Sequence, residues 1–515
     1  MRLSQLAAVL CVALAATAAL QWHGNGYRAE WTFSADEPAH YVTGLMVRDY
    51  LAQGLPGGPL AYAQRYYDHY PKVGFGHWPP VFYFVQAGWT LLFGVSRPSL
   101  IALMAVITAC LLTTCYAVAR QYLPIWMSWA LTILLASLPM VGALSRALMA
   151  EMLVALLTFW SVMILARYLD APRWQTAAWF GLVASATILT KATGFALAPL
   201  PLLAVLVSGR HRLLLTKTFW LPAAIVVGIC GPWFAFVPYA LHDRVARFGG
   251  PGFRGHRIQQ SLLFFWDSFG WAGCVLILLG LIVVFRNPHP GQKRDPLWVL
   301  AGLLIVSTLG MRVAIGAWEA RHLVNLAPLL VLLLGVGLGR VVELAFRNQS
   351  ARIAVALAVL AGMVAWNIWR TPEKPYLGLD AVARDLAMAP QFANSRLLIV
   401  SDAIGEGVFI SEIAALERRP GHVITRGSKA LASVGWISSN YNLKFQSPAE
   451  LMAYLEQEPS QAIVLDMPDG PVAHAELLRK TVDAYRDRWR LVGSYPRFGP
   501  GPPYGRKVQV LQLAY

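Results

Sequence analysis

Long runs of apolar residues, separated by short polar connectors, follow one another along the first two thirds of the chain. A segment of about 20 apolar residues is needed to cross the hydrocarbon of a bilayer. The pattern predicts about eleven membrane spans. In chain order they lie near 4–20, 98–119, 124–143, 149–167, 174–190, 193–208, 219–240, 262–285, 296–311, 323–342 and 353–369. The first run follows Arg2 and ends near an Ala-Thr-Ala sequence, which fits either a signal peptide or a retained first helix.

The composition supports a polytopic α-helical membrane protein. Hydrophobic residues make up 57% of the 515 positions and charged residues only 14%, whereas a soluble domain carries about 25% charged residues. All five cysteines lie inside apolar segments. They have neither the spacing of a metal site nor the loop positions of a disulfide framework, and we interpret them as small apolar residues.

Charge then orients the spans. The net charge of +16 comes mostly from Lys and Arg in the connectors, where basic residues mark the cytoplasmic side, so no nucleic-acid partner is needed to explain it. Alternation from span to span predicts that several segments lie on the outer face: 21–97, 144–148, 191–192, 241–261, 312–322 and 370–515.

Two of the predicted outer segments differ from the others in length and composition. Residues 21–97 are rich in Tyr, Trp, Pro and Gly, which predicts amphipathic helices in the membrane interface. Residues 373–515 have the composition of a soluble domain. We therefore predict a membrane domain over 1–372 that carries the outer loop 21–97, followed by a soluble extracytoplasmic domain over 373–515.

The soluble domain alternates strand and helix patterns, which predicts a small α/β fold. The predicted strands are Leu397–Ser401, Ala462–Leu465 and Val508–Leu513, and the predicted helices are Pro448–Gln457 and Ala473–Arg488. The domain contains neither a Gly-rich phosphate loop nor a nucleophile elbow.

Asp36 and Glu37 are two adjacent carboxylates that follow the first apolar run, within Trp31–His40. They could cap a helix, because Pro38 suits a first turn and Ser34-x-x-Glu37 matches a capping box. They could also act in catalysis, because a partly buried carboxylate beside a membrane cavity can serve as a general base.

Three further charged residues lie at outer ends of spans. Glu151 opens an apolar helix, where an ionisable group needs a cavity or a partner; helix-terminal packing is the other possibility. Lys191 could meet a lipid phosphate or snorkel to the interface. Arg321, followed by His322, could clamp a phosphate leaving group, or Glu319 could neutralise it locally.

The predicted outer loop 242–260 carries Arg244 and Arg247 among glycines, against the positive-inside pattern. Such cations suit an anionic lipid headgroup, or simply the outer-leaflet surface. His40 and His77, together with Asp36 and Glu37, could bind a divalent ion, although the sequence shows no dense ligand motif.

These residues together resemble a known family. The resemblance rests on five short motifs in one order: Asp36-Glu37, His77-Trp-Pro-Pro80, Ala150-Glu151, Leu189-Thr-Lys191 and Arg321-His322-Leu323. The order and predicted outer-face placement are similar to those of the GT-C glycosyltransferases that use polyprenyl-phosphate sugars, above all the protein O-mannosyltransferase and lipid A aminoarabinose transferase group. The similarity covers residues 1 to about 345.

The resemblance implies an enzyme of the plasma membrane, the inner membrane in a bacterium, with its active site on the extracytoplasmic face. A sugar would pass from a polyprenyl-phosphate carrier to a lipid, glycan or protein acceptor. Asp36 would be the base with Glu37 beside it, Glu151 a second acid, and Lys191 and Arg321 would lie near the donor phosphate. His77-Trp stands where some relatives have an acidic-basic pair, so a divalent metal is possible but no cofactor is certain.

The chemistry is consistent with this resemblance. Polyprenyl phosphate is already a good leaving group, so the protein needs only to stabilise its developing charge. One base would then be enough to activate the acceptor. Attack from the opposite face would invert the anomeric carbon. A transporter or flippase of lipid-linked or anionic substrates is the alternative. It would also explain acids and a basic loop at the membrane, but the matched broken helices of transporters are not evident in the sequence.

Overall fold

The computed structural model describes residues 2–74, 76–237, 254–286, 295–315, 319–433, 441–468, 470, 472–499 and 506–514. The chain divides into two compact units. The first, here called the helical unit, comprises Met1–Gly24, Gly76–Phe82 and Ala102–Pro372. The second, here called the α/β unit, comprises Asn25–Phe75, Tyr83–Ile101 and Glu373–Tyr515. The long segment after the first helix thus belongs to the same unit as the C-terminal region.

Helices occupy most of the chain up to residue 372. In order they are Leu3–His23, Asp36–Ala52, Pro59–His69, Val81–Phe93, Arg97–Tyr122, Ile125–Ser137, Pro139–Ser145, Glu151–Asp170, Trp174–Thr190, Leu200–Val207, Lys217–Phe236, Arg254–Phe285, Pro296–Ile315, Ala327–Ala345 and Gln349–Arg370. Short 3-10 helices cover Ala192–Leu197, His211–Leu215 and Ala320–Leu326.

The protein is an integral membrane protein, as predicted, but the predicted number of spans is not confirmed. Among the described residues, eight helices are long and apolar enough to cross a membrane, and nine if one bent pair is a single span. That pair, Ile125–Ser137 and Pro139–Ser145, bends by 66°. The bend falls at Leu138, whose ψ of 130° is extended because a residue before proline avoids the helical region.

The helical unit is held together by close helix packing. Ala327–Ala345 packs along Arg254–Phe285, and two glycines allow their backbones to approach. A Cβ on Gly280 would lie 2.0 Å from the Leu333 carbonyl oxygen, and one on Gly337 would lie 2.0 Å from that of Leu276. Small residues serve the same purpose in other membrane helix pairs.

The α/β unit contains a five-stranded sheet made of β1 (Arg396–Val400), β2 (Val423–Arg426), β5 (Ala462–Leu465), β6 (Trp489–Pro496) and β7 (Lys507–Leu513). Their order across the sheet is β2-β1-β5-β7-β6. A separate two-stranded sheet is formed by β3 (Ala432–Ser433) and β4 (Asn442–Leu443). Strand β1 runs parallel to both β2 and β5, whereas β7 runs antiparallel to β5 and β6. Helices cover Leu379–Met388, Ala403–Leu416, Gly427–Ala430, Pro448–Gln457 and Ala473–Ala484.

The predicted fold class, helical membrane protein with a C-terminal α/β region, is confirmed. All three predicted strands exist, and the predicted helix 473–488 ends at Ala484, where a 3-10 turn follows. The sequence pattern missed β2 and β6. Strand β6 lies at the sheet edge and is mostly exposed, so it lacks the apolar alternation by which strands are recognised.

Candidate active site

A buried ion cluster lies in the helical unit around the carboxylate of Glu151, the first residue of helix Glu151–Asp170. Oε1 of Glu151 lies 2.6 Å from Nζ of Lys191 and 3.2 Å from Nε of Arg321. All three side chains are at most 6% exposed. The structure therefore brings together three residues that the sequence singled out from distant positions, and it gives Glu151 the partners that a buried charge requires.

Lys191 is held in place by a tight turn. It directly follows helix Trp174–Thr190 and precedes the 3-10 helix Ala192–Leu197, which folds back on that helix. A Cβ on Gly194 would lie 2.8 Å from the backbone nitrogen of Ile188. The turn therefore depends on a glycine at this position, and it directs Lys191 inward.

Arg321 comes from the 3-10 helix Ala320–Leu326, which packs on helix Glu151–Asp170. Its second partner is Glu319, with Nε of Arg321 2.5 Å from Oε2 of Glu319, so the local neutralisation considered from the sequence does occur. The Glu319 carbonyl also accepts a hydrogen bond of 2.8 Å from Arg312. Nε2 of His322 lies 4.0 Å from the Glu151 carboxylate. The cluster thus brings Lys191, Arg321 and Arg312 beside the carboxylate of Glu151 and the residue Glu319, and Lys and Arg are the side chains that bind phosphate esters in proteins.

Asp36 and Glu37 open helix Asp36–Ala52 in the α/β unit, but their surroundings differ. Glu37 is fully buried, whereas Asp36 is partly exposed. The residue that precedes the helix is Ala35 rather than Ser34, so the predicted capping box does not describe this helix start. Ser34 Oγ accepts from the Asp36 backbone at 3.3 Å, and Oε2 of Glu37 accepts from the Phe33 backbone at 2.7 Å.

The other carboxylate oxygen of Glu37 is bound by a lysine that follows the last membrane helix in sequence. Nζ of Lys374 lies 2.7 Å from Oε1 of Glu37, and the two side chains are 2% and 0% exposed. The same ammonium lies 5.0 Å from the ring centre of Trp31, within cation–π distance. Glu37 therefore takes part in a buried structural pair, while Asp36 is the more accessible of the two acids.

Several further polar contacts tie residues 25–75 to the C-terminal residues of the same unit. Glu30 accepts backbone hydrogen bonds from Leu377 at 2.5 Å and Asp380 at 3.0 Å. Burial raises the pKa of Glu30 to about 7, against the opposing effect of these donors. Asp49 receives two hydrogen bonds from Arg419, at 2.7 and 3.2 Å. The loop before helix Asp36–Ala52 and the last turn of that helix are thus both bonded to the C-terminal part of the unit.

The histidines do not form a metal centre in the part of the chain that the structure describes. Nδ1 of His40 lies 2.8 Å from the Tyr83 hydroxyl, and the ring of His77 stacks edge-on against Trp78. No group of three or more His, Cys, Asp or Glu side chains among the described residues could hold a metal ion. Arg244 and Arg247 lie outside the described residues.

Comparison with known proteins bears on the fold. Residues 77–236 match the family described as dolichyl-phosphate-mannose-protein mannosyltransferase. No curated protein sequence matches the chain. ArnT from Cupriavidus metallidurans bound to undecaprenyl phosphate is similar over 98% of both chains, with a TM-score of 0.61 and 15% identity. The chain has the GT-C fold.

A second GT-C structure extends this similarity. The archaeal oligosaccharyltransferase AglB from Archaeoglobus fulgidus, in complex with an inhibitory peptide and a dolichol-phosphate, matches with a TM-score of 0.57 and 11% identity. The match covers 90% of this chain and 69% of AglB. The resemblance to GT-C glycosyltransferases that the motifs predicted is therefore confirmed, and the ArnT match extends it from residue 345 to nearly the whole chain.

Sequence reasoning missed the residues that surround the Asp36-Glu37 pair. Lys374 lies in a connector after a predicted span, and Glu30 lies in a polar loop, so the sequence around them is ordinary. Lys72, the only lysine between residues 1 and 190, was also missed. The one signal that could have indicated Lys72 was its position as a single lysine within the aromatic run that precedes His77.

Proposed function

We propose that this GT-C protein transfers a sugar from a polyprenyl-phosphate carrier to an acceptor on the extracytoplasmic face of the membrane. The observation that carries the proposal is the buried cluster of Glu151, Lys191 and Arg321 in a chain whose fold follows ArnT over nearly its full length. Ionisable side chains buried in a membrane protein are costly and commonly mark a substrate path, and Lys and Arg are suited to a phosphate.

Lys191 and Arg321 are assigned to the donor phosphate. In the reaction the bond between the anomeric carbon and the phosphate oxygen breaks, and the polyprenyl phosphate leaves with an additional negative charge. Cations near that oxygen stabilise the charge as it develops, and their effect is large in a site that excludes water. Glu151 holds both cations in place, and His322 can add a proton-dependent charge 4.0 Å from Glu151.

An apolar surface suited to the isoprenoid chain lies elsewhere in the helical unit. Two cavities, of ≈ 180 and ≈ 380 Å³, share Leu281 and Ile305 in their walls, and apolar side chains make up the rest of both linings apart from Cys274 and Gly302. Such apolar crevices among membrane helices would accept hydrocarbon, either of a bilayer lipid or of an isoprenoid chain.

Asp36 is assigned as the general base. It is the more accessible acid of the pair, and Glu37 is occupied by Lys374 and the Phe33 backbone. An Asp36 carboxylate that takes the proton from an acceptor hydroxyl would let the oxygen attack the anomeric carbon opposite the phosphate, which inverts the configuration. The acceptor is a lipid, a glycan or a protein.

The test is transfer by the purified full-length protein. It is incubated with radiolabelled undecaprenyl-phosphate mannose or aminoarabinose and with membrane lipids, glycans and proteins. A new labelled product supports the proposal, and its anomeric configuration tests inversion. Movement of the labelled donor across proteoliposome membranes without any new product would instead favour the transporter alternative.

A further inference from the structure

Lys72 links the residue before Asp36 to the C-terminal part of the α/β unit. Its Nζ donates hydrogen bonds to the carbonyl oxygen of Ala35 at 3.3 Å and to that of Ala403 at 3.0 Å. Lys72 is only 8% exposed. A buried ammonium with two carbonyl acceptors fixes the separation of the two backbone segments that it joins.

The packing around Lys72 leaves no spare room. A Cβ on Gly407 would lie 2.8 Å from Cε of Lys72 and 2.9 Å from Cγ of Pro38. Gly407 belongs to helix Ala403–Leu416, and Pro38 to the first turn of helix Asp36–Ala52. The stem of Lys72 and the turn that carries Asp36 therefore pack together against one glycine.

Charges around Lys72 come from several elements. Burial and the nearby Arg426 lower the pKa of Lys72 to about 7, and the carboxylates of Glu406, Asp36 and Asp402 oppose that change. Arg426 itself donates to Glu406, with Nε 2.8 Å from Oε2. Below about pH 7, Lys72 is thus a cation whose field reaches the Asp36 carboxylate.

We propose that Lys72 is a positioning residue for the transfer reaction, which holds the Asp36 carboxylate in place by fixing Ala35 to the C-terminal region. Its positive charge also favours the ionised form of that carboxylate. The proposal rests on the proposed role of Asp36 as the base. Under this proposal the C-terminal α/β region contributes to catalysis through Lys72. Ala403 accepts a hydrogen bond from Lys72, and Gly407 packs against its side chain.

The first test compares Lys72→Met and Lys72→Arg in the full-length protein. Transfer from the labelled undecaprenyl-phosphate sugar is measured over the pH range. Lys72→Met should lower kcat by roughly tenfold to a hundredfold and leave the donor KM within a few-fold. The acid limb of kcat/KM should move to higher pH, because the carboxylate has lost a neighbouring cation. Lys72→Arg keeps the positive charge and should therefore keep the limb near its wild-type position, even if its bulkier head group lowers kcat.

A second variant leaves every charge in place. Gly407→Ala should force Lys72 and Pro38 apart and lower kcat in the same direction, and it carries the test if Lys72→Met does not fold. Gly58→Ala is the matched control, because a Cβ on Gly58 meets no atom within 4 Å. This control should behave like the wild type.

The outcomes separate the two proposals. Wild-type kcat and an unmoved acid limb in Lys72→Met, or wild-type kcat in Gly407→Ala, would overturn the role of Lys72 while leaving Asp36 as the base. An equal shift of the limb in Lys72→Met and Lys72→Arg would also overturn it, because the charge would then be irrelevant. Full transfer by Asp36→Asn would instead refute the base assignment itself.

Discussion

The carboxylate of Glu37 lies 2.7 Å from the ammonium of Lys374, and both side chains are buried. The two residues are 337 positions apart in sequence. Glu37 uses its second oxygen to hold the backbone of Phe33, one turn before it. The neighbouring Asp36 is partly exposed, whereas Glu37 is fully buried, and the two adjacent acids thus have different surroundings.

Replacing Glu37 should therefore lower the stability of the protein, and it should affect the transfer reaction only as a consequence. Glu37→Gln leaves the Lys374 ammonium buried without its ionic partner, and breaking a buried pair in this way costs about 3–5 kcal/mol. We expect a lower free energy of unfolding, measured by thermal denaturation in detergent. The double variant Glu37→Gln, Lys374→Met should recover part of the loss, because it removes the uncompensated charge.

The same pair of variants tests whether Glu37 acts in the reaction. If Glu37 only positions its neighbour, the double variant should regain transfer along with stability. A Glu37→Gln protein that is as stable as the wild type yet inactive would contradict the structural role and make Glu37 a second catalytic acid.

Arg321→Ala should weaken binding of the donor phosphate. A charge-assisted hydrogen bond contributes about 1.5–3 kcal/mol, so affinity for undecaprenyl phosphate should fall by roughly tenfold or more. Calorimetric titration with undecaprenyl phosphate provides the measurement. Arg340→Ala is the control, since Arg340 pairs only at the surface with Glu343 and is about half exposed. An unchanged affinity of Arg321→Ala for undecaprenyl phosphate would contradict the assignment of Arg321 to the donor phosphate.

Glu30 should make the stability of the protein depend on pH. The pKa of its carboxyl is about 7 in the folded protein and ordinarily 4.5, chiefly because it is buried. Between these values the folded state binds more protons than the unfolded state, so the free energy of unfolding falls as pH rises from about 4.5 to about 7. The contribution is on the order of 3 kcal/mol.

The check compares the wild type with Glu30→Gln by thermal denaturation near pH 5 and near pH 7. Gln cannot lose a proton, so this variant should lack the part of the pH dependence that comes from position 30. The same pH dependence in both proteins would show that Glu30 does not titrate over this range.

The apolar pattern was sufficient to predict the membrane class and most of the helices between residues 97 and 370, but it gave no positions for the helices within 21–97 and missed Leu379–Met388 and Ala403–Leu416. Span boundaries and number were harder, because Pro139 bends one predicted span and the predicted span 193–208 is a 3-10 turn followed by the short helix Leu200–Val207. Whether such segments cross a membrane depends on packing against their neighbours rather than on their own composition.

The candidate site was predicted in part. Glu151, Lys191 and Arg321 stood out because a charge at the end of an apolar helix is costly, and the same cost explains why they pair. Lys374 and Lys72 could not be found as partners of the Asp36-Glu37 region. Lys374 lies 337 positions from Glu37 and Lys72 lies 37 positions from Ala35, and no local pattern records contacts at such separations.

Transfer by Asp36→Asn tests the central claim most directly. The full-length variant is compared with the wild type for sugar transfer from labelled undecaprenyl-phosphate sugar, with matched expression and thermal stability. Loss of the general base should reduce the rate by roughly a hundredfold to ten-thousandfold while undecaprenyl phosphate binding is retained. Transfer at the wild-type rate would contradict the assignment of Asp36 as the base.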